Sequence, residues 1–250
     1  MTADRLAQAV RQRLGLGRLL ALGGPRDGAW ISEEATRAVL RHATEGLPGV
    51  RLGPLRIGPA DPANAREPAV PPPPSALWPG PLRVTAEFEA TPEQPLPTTA
   101  DRLRAALTAI ATERLGLVVA EVDLRVTALL DGTEEPAPEA PPQASPVRPP
   151  EPSAAPGAAR SAEVGGGDEG RAGAAALAVT GVTRLTGLLG LPVHIEERQG
   201  ESTLPRRHVR IELAVGTDRR ALDVAREVRA EVERALPDQP TVAVLVTAVD

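Results

Sequence analysis

The chain has 250 residues, enough for one large domain or two small ones, and a net charge of −5. Its aromatic residues are only Trp30, Trp78 and Phe88, all 28 basic residues are Arg, and Lys, Tyr and Cys are absent. Without Cys there can be no disulfide, thiol catalysis or thiolate metal site. The N-terminus has no secretory pattern, and no apolar run approaches the ~20 residues of a membrane span. These features predict a cytoplasmic chain that a partner could recruit to a membrane. An Arg-only basic set fits a GC-rich bacterial genome better than any function.

Charge divides unevenly along the chain. Residues 1–130 hold 15 Arg and 14 acids, residues 131–172 hold 3 and 8, and residues 173–250 hold 10 and 11. Both candidate folded parts are near neutral, and the acidity lies between them. Neither has the basic excess expected of a nucleic-acid binder.

In chain order, residues 1–30 read as an N-terminal amphipathic helix and a loop. Leu6, Val10 and Leu14 give 3–15 a helical spacing, and LGRLLALGG follows as loop. Arg5, Arg11 and Arg13 beside that stripe leave a membrane-surface role open, but docking on its own domain or on a partner is favoured. A first module spans 31–130. Ser32 is placed as N-cap of a helix over 31–46, with acids in its first turn and Gly46 near its end. VRLGPLRIG is a strand or loop. A long Pro-rich loop covers 59–81, with Trp78 expected to pack it onto the body. LRVTAEFEA (82–90) alternates as a half-buried strand. Residues 100–116 form a helix ending at Gly116, and 118–130 a strand.

The stretch 131–172 contains nine Pro and six Gly and almost no aliphatic residue larger than Ala. It cannot bury enough apolar surface to offset the entropy of ordering, so it reads as a disordered linker. A spacer role is favoured over recognition of its Pro-rich half. A second, diverged module follows over 173–250: a helix at 174–189, strands at 193–197 and 208–216, a helix at 218–236 and a strand at 241–249. The predicted fold class is α+β: two small α-β-β-α-β modules, each a mainly three-stranded sheet covered by two helices.

The repeat is argued from order and apolar register. Leu82 and Val84 are paired with Val209 and Ile211. Leu103, Leu107, Ala111 and Leu115 are paired with Val224, Val228, Val232 and Leu236. Val126-Thr127-Ala128 matches Val246-Thr247-Ala248, and Gly46-Leu-Pro-Gly49 matches Gly187-Leu-Leu-Gly190.

The ISEE helix start, the GLPGV turn, the long amphipathic helix and the closing VAEVDLRVTALL strand resemble the alkaline shock (Gls-type general stress) family of Gram-positive bacteria. The likeness covers roughly 31–130 and, more faintly, 174–250, as two diverged copies. Relatives from GC-rich genomes also carry a nucleopolyhedrovirus P-ten-like name, which says nothing of function. The resemblance implies a non-catalytic cytoplasmic scaffold or adaptor linked to cell-envelope, alkaline or general stress. It also implies self-association into a homo-oligomer or with related family members, and tethering by a small membrane-anchor protein. The loop 59–81, the linker, the second copy and the missing Lys-rich surface depart from the family pattern.

No catalytic, cofactor-binding or metal-binding residue is assigned. The two Gly-x-x-Gly motifs read as helix C-caps, with a KH-like RNA-binding module as the alternative. Gly15-Leu-Gly17 is a hinge and no phosphate loop, since no strand precedes it and no Lys follows. His42, His194 and His208 read as surface or edge residues, although His194 and Glu196 share a strand face. Ser32 is accounted for as a cap. Glu87 and Glu89, and Glu227, Glu231 and Glu233 among their arginines, read as solvated faces. An enzyme ranks last because no nucleophile, general base and anion site can be assembled.

Overall fold

A computed structural model describes residues 17–130, 166–200 and 203–250. The predicted helix at 3–15 and most of the predicted linker lie outside the described residues. The elements are β1 (Leu19–Leu22), β2 (Ala29–Ser32), α1 (Glu33–Thr44), β3 (Val50–Pro59), β4 (Leu82–Ala90), α2 (Leu96–Ile110, extended by a π turn over Ala111–Leu115) and β5 (Val119–Leu129). After residue 165 come α3 (Gly167–Leu177), β6 (Val182–Leu185), β7 (Val193–Gly200), β8 (Thr203–Val215), α4 (Ala221–Ala235) and β9 (Thr241–Val249).

The class is α+β, as the sequence predicts. The first module is α1-β3-β4-α2-β5, with a sheet in the order β3-β4-β5. In it β3 is antiparallel and β5 parallel to β4. The second module repeats these senses: β6 and β7 lie antiparallel along one edge of β8, and β9 lies parallel along the other. A parallel neighbour requires a crossover, and α2 and α4 supply one each.

The second sheet has six strands, twice the predicted number. The segment read as a loop over residues 17–30 supplies two of the three extra strands, and β6, inside the predicted helix 174–189, is the third. LLAL and AWIS pair as an antiparallel hairpin, and β2 then runs parallel to β9 through Ala29–Val244, Trp30–Leu245 and Ile31–Val246. Continuous apolar runs buried on both faces carry no alternation, so periodicity misses them. Helix α1 accordingly starts at Glu33, after a strand.

The predicted helix over 174–189 is also displaced. Ala-rich α3 begins at Gly167, inside the stretch assigned to the linker, and 182–185 is a strand. Gly181, at φ +97°, makes the helix-to-strand turn there, as Gly49, at φ +70°, does in the first module. Gly187–Gly190 therefore has no counterpart in Gly46–Gly49.

The closing strands fix the register of the repeat. Phe88 pairs with Val126 and Glu89 with Ala128, so Thr127 is an extra residue. Leu213 pairs with Val246 and Ala214 with Ala248, so Thr247 is extra in the same way. Thr127 Oγ1 donates to Phe88 O at 3.3 Å, and Thr247 Oγ1 to Leu213 O at 3.2 Å. Phe88 is thus the counterpart of Leu213, and Val84 that of Val209. The strand pairing inferred from sequence is two residues off. A slip of two keeps the same face inward, so the apolar pattern could not reveal it.

One core serves both modules. Leu40, Phe88, Leu103 and Leu107 of the first and Leu222, Val228, Ile211 and Val244 of the second belong to a single buried cluster. Each fully buried Leu or Val contributes roughly 1.5–3 kcal/mol, so two cores of small aliphatics gain by merging. The predicted cap Gly116 lies at the seam with φ +91°, where a Cβ would fall 2.5 Å from Leu222 Cβ. The other Trp anchors the Pro-rich loop: Trp30 is 1% exposed and its Nε1 donates to Leu77 O at 3.2 Å, whereas Trp78 is 52% exposed.

Candidate functional site: the open edge of the first sheet

Three polar sites and one apolar edge stand out among the described residues. The first is a cleft of about 350 Å³ between α1, β3 and β4, with Arg18, Arg37, Arg56 and Arg83 around it and Glu33 among its lining residues. Glu33 is buried because it is used structurally. Its carboxylate accepts from Arg37 Nη2 at 2.7 Å, Arg18 N at 3.2 Å and Ile57 N at 3.3 Å. Arg83 is held by Glu121 at 2.5 Å and Asp123 at 3.5 Å.

The second is the Gly187–Gly190 loop. It follows strand β6 and closes over Glu212, which is fully buried on β8. Leu189 N donates to Glu212 Oε2 at 3.0 Å, and Arg210 Nε lies 3.6 Å from Oε1. Burial raises the Glu212 carboxyl above its ordinary range, opposed by the backbone N–H groups of Leu189 and Leu188 and by the Arg210 charge. The loop's Leu189 N–H is thus engaged internally, in a role other than the predicted helix cap.

The third is the histidines: His42 lies apart on α1, whereas His194 and His208 sit on adjoining strands, with Glu196 directly opposite His208. His42 is exposed beside Glu45 at 3.2 Å. His194 on β7 is 3.9 Å from Glu196. His208 is buried, in contrast to its prediction as a surface or edge residue. Its Nδ1 lies 2.9 Å from Thr241 Oγ1, and desolvation lowers its pKa to about 4. No group of three or more metal-ligating side chains occurs among the described residues. Ser32 caps α1, accepting from Ala35 N at 3.1 Å, and Glu89 pairs with Arg51 at 3.0 Å.

The apolar candidate is β5. Among the described residues it pairs with β4 alone, and most of its length is exposed. Val118, Val126 and Leu129 are 49, 37 and 58% exposed, three of the six exposed large apolar side chains among the described residues. Its counterpart β9 has the same bulge and the same neighbours in sequence, yet is buried over Val242–Thr247 because β2 covers its edge. Among the described residues the outer edge of the closing strand is open in the first module and covered in the second, while β3, β6 and β7 also pair on one side only. Such an edge presents a row of N–H and C=O groups ready for another chain. The alternation Val122, Leu124, Val126 announced the strand, but only the pairing partners distinguish a covered edge from an open one.

No family model and no curated protein matches the chain. Among solved structures it is similar to a variant of the MamM CTD in a nickel form, at 16% identity over 38% of this chain and 96% of that one, with a TM-score of 0.25. A zinc form of a MamM CTD variant gives 16% identity over 41 and 91%, with a TM-score of 0.26. A likeness of this size has no bearing on function. Among the described residues no helix is long and apolar enough to cross a membrane.

Proposed function

We propose that the protein is a non-catalytic cytoplasmic scaffold that works by binding other protein chains, itself included, in the cell-envelope or general stress response. The observation that carries the binding role is the open β5 edge with its exposed Val126 and Leu129. Pairing through a sheet edge gives affinity through main-chain hydrogen bonds and needs no pocket. The internal pairing of Glu33 and Arg83 is consistent with this reading, because those polar groups already have structural partners. The stress assignment rests on the resemblance of the ISEE, GLPGV and VAEVDLRVTALL segments, and membrane contact would come through a small anchoring protein.

Light scattering on the purified chain, with a pull-down from the native membrane fraction, tests the proposal. The expected result is an oligomer or a captured partner that Leu129→Arg weakens. A strict monomer with no partner overturns it. Salt-dependent RNA binding at low ionic strength would favour the KH-like alternative instead.

A further inference from the structure

The partner of β5 can be read from β5 itself. From Val118 to Leu130 the sequence is V-V-A-E-V-D-L-R-V-T-A-L-L. It is close to a palindrome in residue character about Leu124. Val118 mirrors Leu130, Val119 mirrors Leu129, Ala120 mirrors Ala128, and Val122 mirrors Val126. Asp123 mirrors Arg125.

We propose that two copies of this chain join through β5, antiparallel and centred on Leu124, into one continuous six-stranded sheet. The proposal rests on the reading of β5 as an interaction edge and names its occupant. An antiparallel pair related by a two-fold axis places residue i opposite the mirrored residue, so a palindromic strand is its own complement. In this register Asp123 faces Arg125 of the second copy, twice. Moving the centre to Asp123 would set Asp123 opposite its own copy, with Arg125 then facing Glu121, and moving it to Arg125 would set Arg125 opposite its own copy; like charges directly opposite are unfavourable. Of these three registers only the one centred on Leu124 has no like-charge pair, and it covers Val126 with Val122 and Leu129 with Val119.

The local geometry is compatible. The extra residues relative to β4 fall at Ala120 and Thr127, so Glu121–Val126 between them is regular. Asp123 and Arg125 are exposed, and their contacts within the chain are long: 3.5 Å to Arg83 and 3.9 Å to Glu87. A two-fold axis normal to the sheet also brings α2 beside its copy. The side of α2 that reaches β5, where Arg104 Nε donates to Val122 O at 3.2 Å, carries a shallow trough that includes Ala105, Thr108 and Ala109. Small side chains there leave room for close helix approach. On pairing, Val122 O is taken over by the second copy, and Arg104 keeps its bond to Asp101 at 2.5 Å.

The test is sedimentation equilibrium on the full chain and its charge variants. Asp123→Arg or Arg125→Asp alone should weaken dimerisation about tenfold or more, and the double exchange should restore it to within about twofold. Folding is checked by circular dichroism. A second measurement uses the Cys-free background: copies carrying Ala120→Cys mixed with copies carrying Ala128→Cys should join through a short cross-linker. Neither should join to itself, since like positions would lie ~26 Å apart along the strands. A dimer indifferent to the charge exchange, without the mixed cross-link, overturns this interface but leaves the scaffold reading intact. A monomer that binds another protein through β5 does the same. A monomer that binds nothing overturns both.

Discussion

Ser32 Oγ donates to Thr247 O at 3.1 Å across a sequence separation of 215 residues. The same oxygen accepts from Ala35 N, so one hydroxyl caps the first module's helix and holds the second module's closing strand at its bulge. Thr247 in turn lies 2.7 Å from Thr186 Oγ1, and Thr36 Oγ1 donates to Ser32 O. The two modules therefore share a buried polar network as well as an apolar core.

Ser32→Ala removes the cap and leaves Thr247 O without this donor. The expected loss is about 2 kcal/mol, read as a lower urea midpoint with an unchanged slope. Ser32→Thr, which keeps the hydroxyl, should lose less.

The shared core predicts that the halves stay together. A protease site engineered within residues 131–165 and cleaved under native conditions should give two fragments that elute as one particle. Separation of the fragments would contradict the seam formed by β2, β9, α1 and α4.

The two tryptophans should report separately. Trp30 is buried against Leu77 O and Trp78 is half exposed. Trp78→Phe should leave a blue-shifted emission that resists acrylamide. Trp30→Phe should leave a red-shifted, readily quenched one and should free the loop over 59–81 for proteolysis.

His208 gives the fold an acid sensitivity. Its folded pKa, about 4, lies below the ordinary 6.5 because burial disfavours the charged ring. The unfolded chain thus binds the proton more readily. Stability from this group is complete above pH 6.5 and falls as the pH drops toward 4, by roughly 3 kcal/mol in all. Glu212 has the opposite sign: its raised pKa gives stability that is present below its ordinary 4.5 and is lost as the pH rises through the folded value. Denaturation curves between pH 4 and 7 should flatten at the acid end in His208→Gln. An unchanged slope would place the ring's titration elsewhere.

Several elements were legible without a structure. LRVTAEFEA and TVAVLVTAV occupy the predicted ranges, and the Ser32 cap and the Gly116 stop stand where their local chemistry requires. Alternation, capping and chain reversal are short-range effects, so the sequence by itself determined the α+β class, the two copies and the faces that turn inward. The tertiary structure decided which edges are covered. LLAL and AWIS carry no period that names them as strands, and they become β1 and β2 only because β9 offers them a partner. His208, read from sequence as a surface or edge residue, is buried with its ring on Thr241, and Glu212 is buried beneath the Gly187–Gly190 loop. Burial and edge pairing depend on residues far apart in the chain. That is also why β5 and β9, alike in sequence and bulged alike, end with opposite fates, one sealed by Trp30 and Ile31 and the other open.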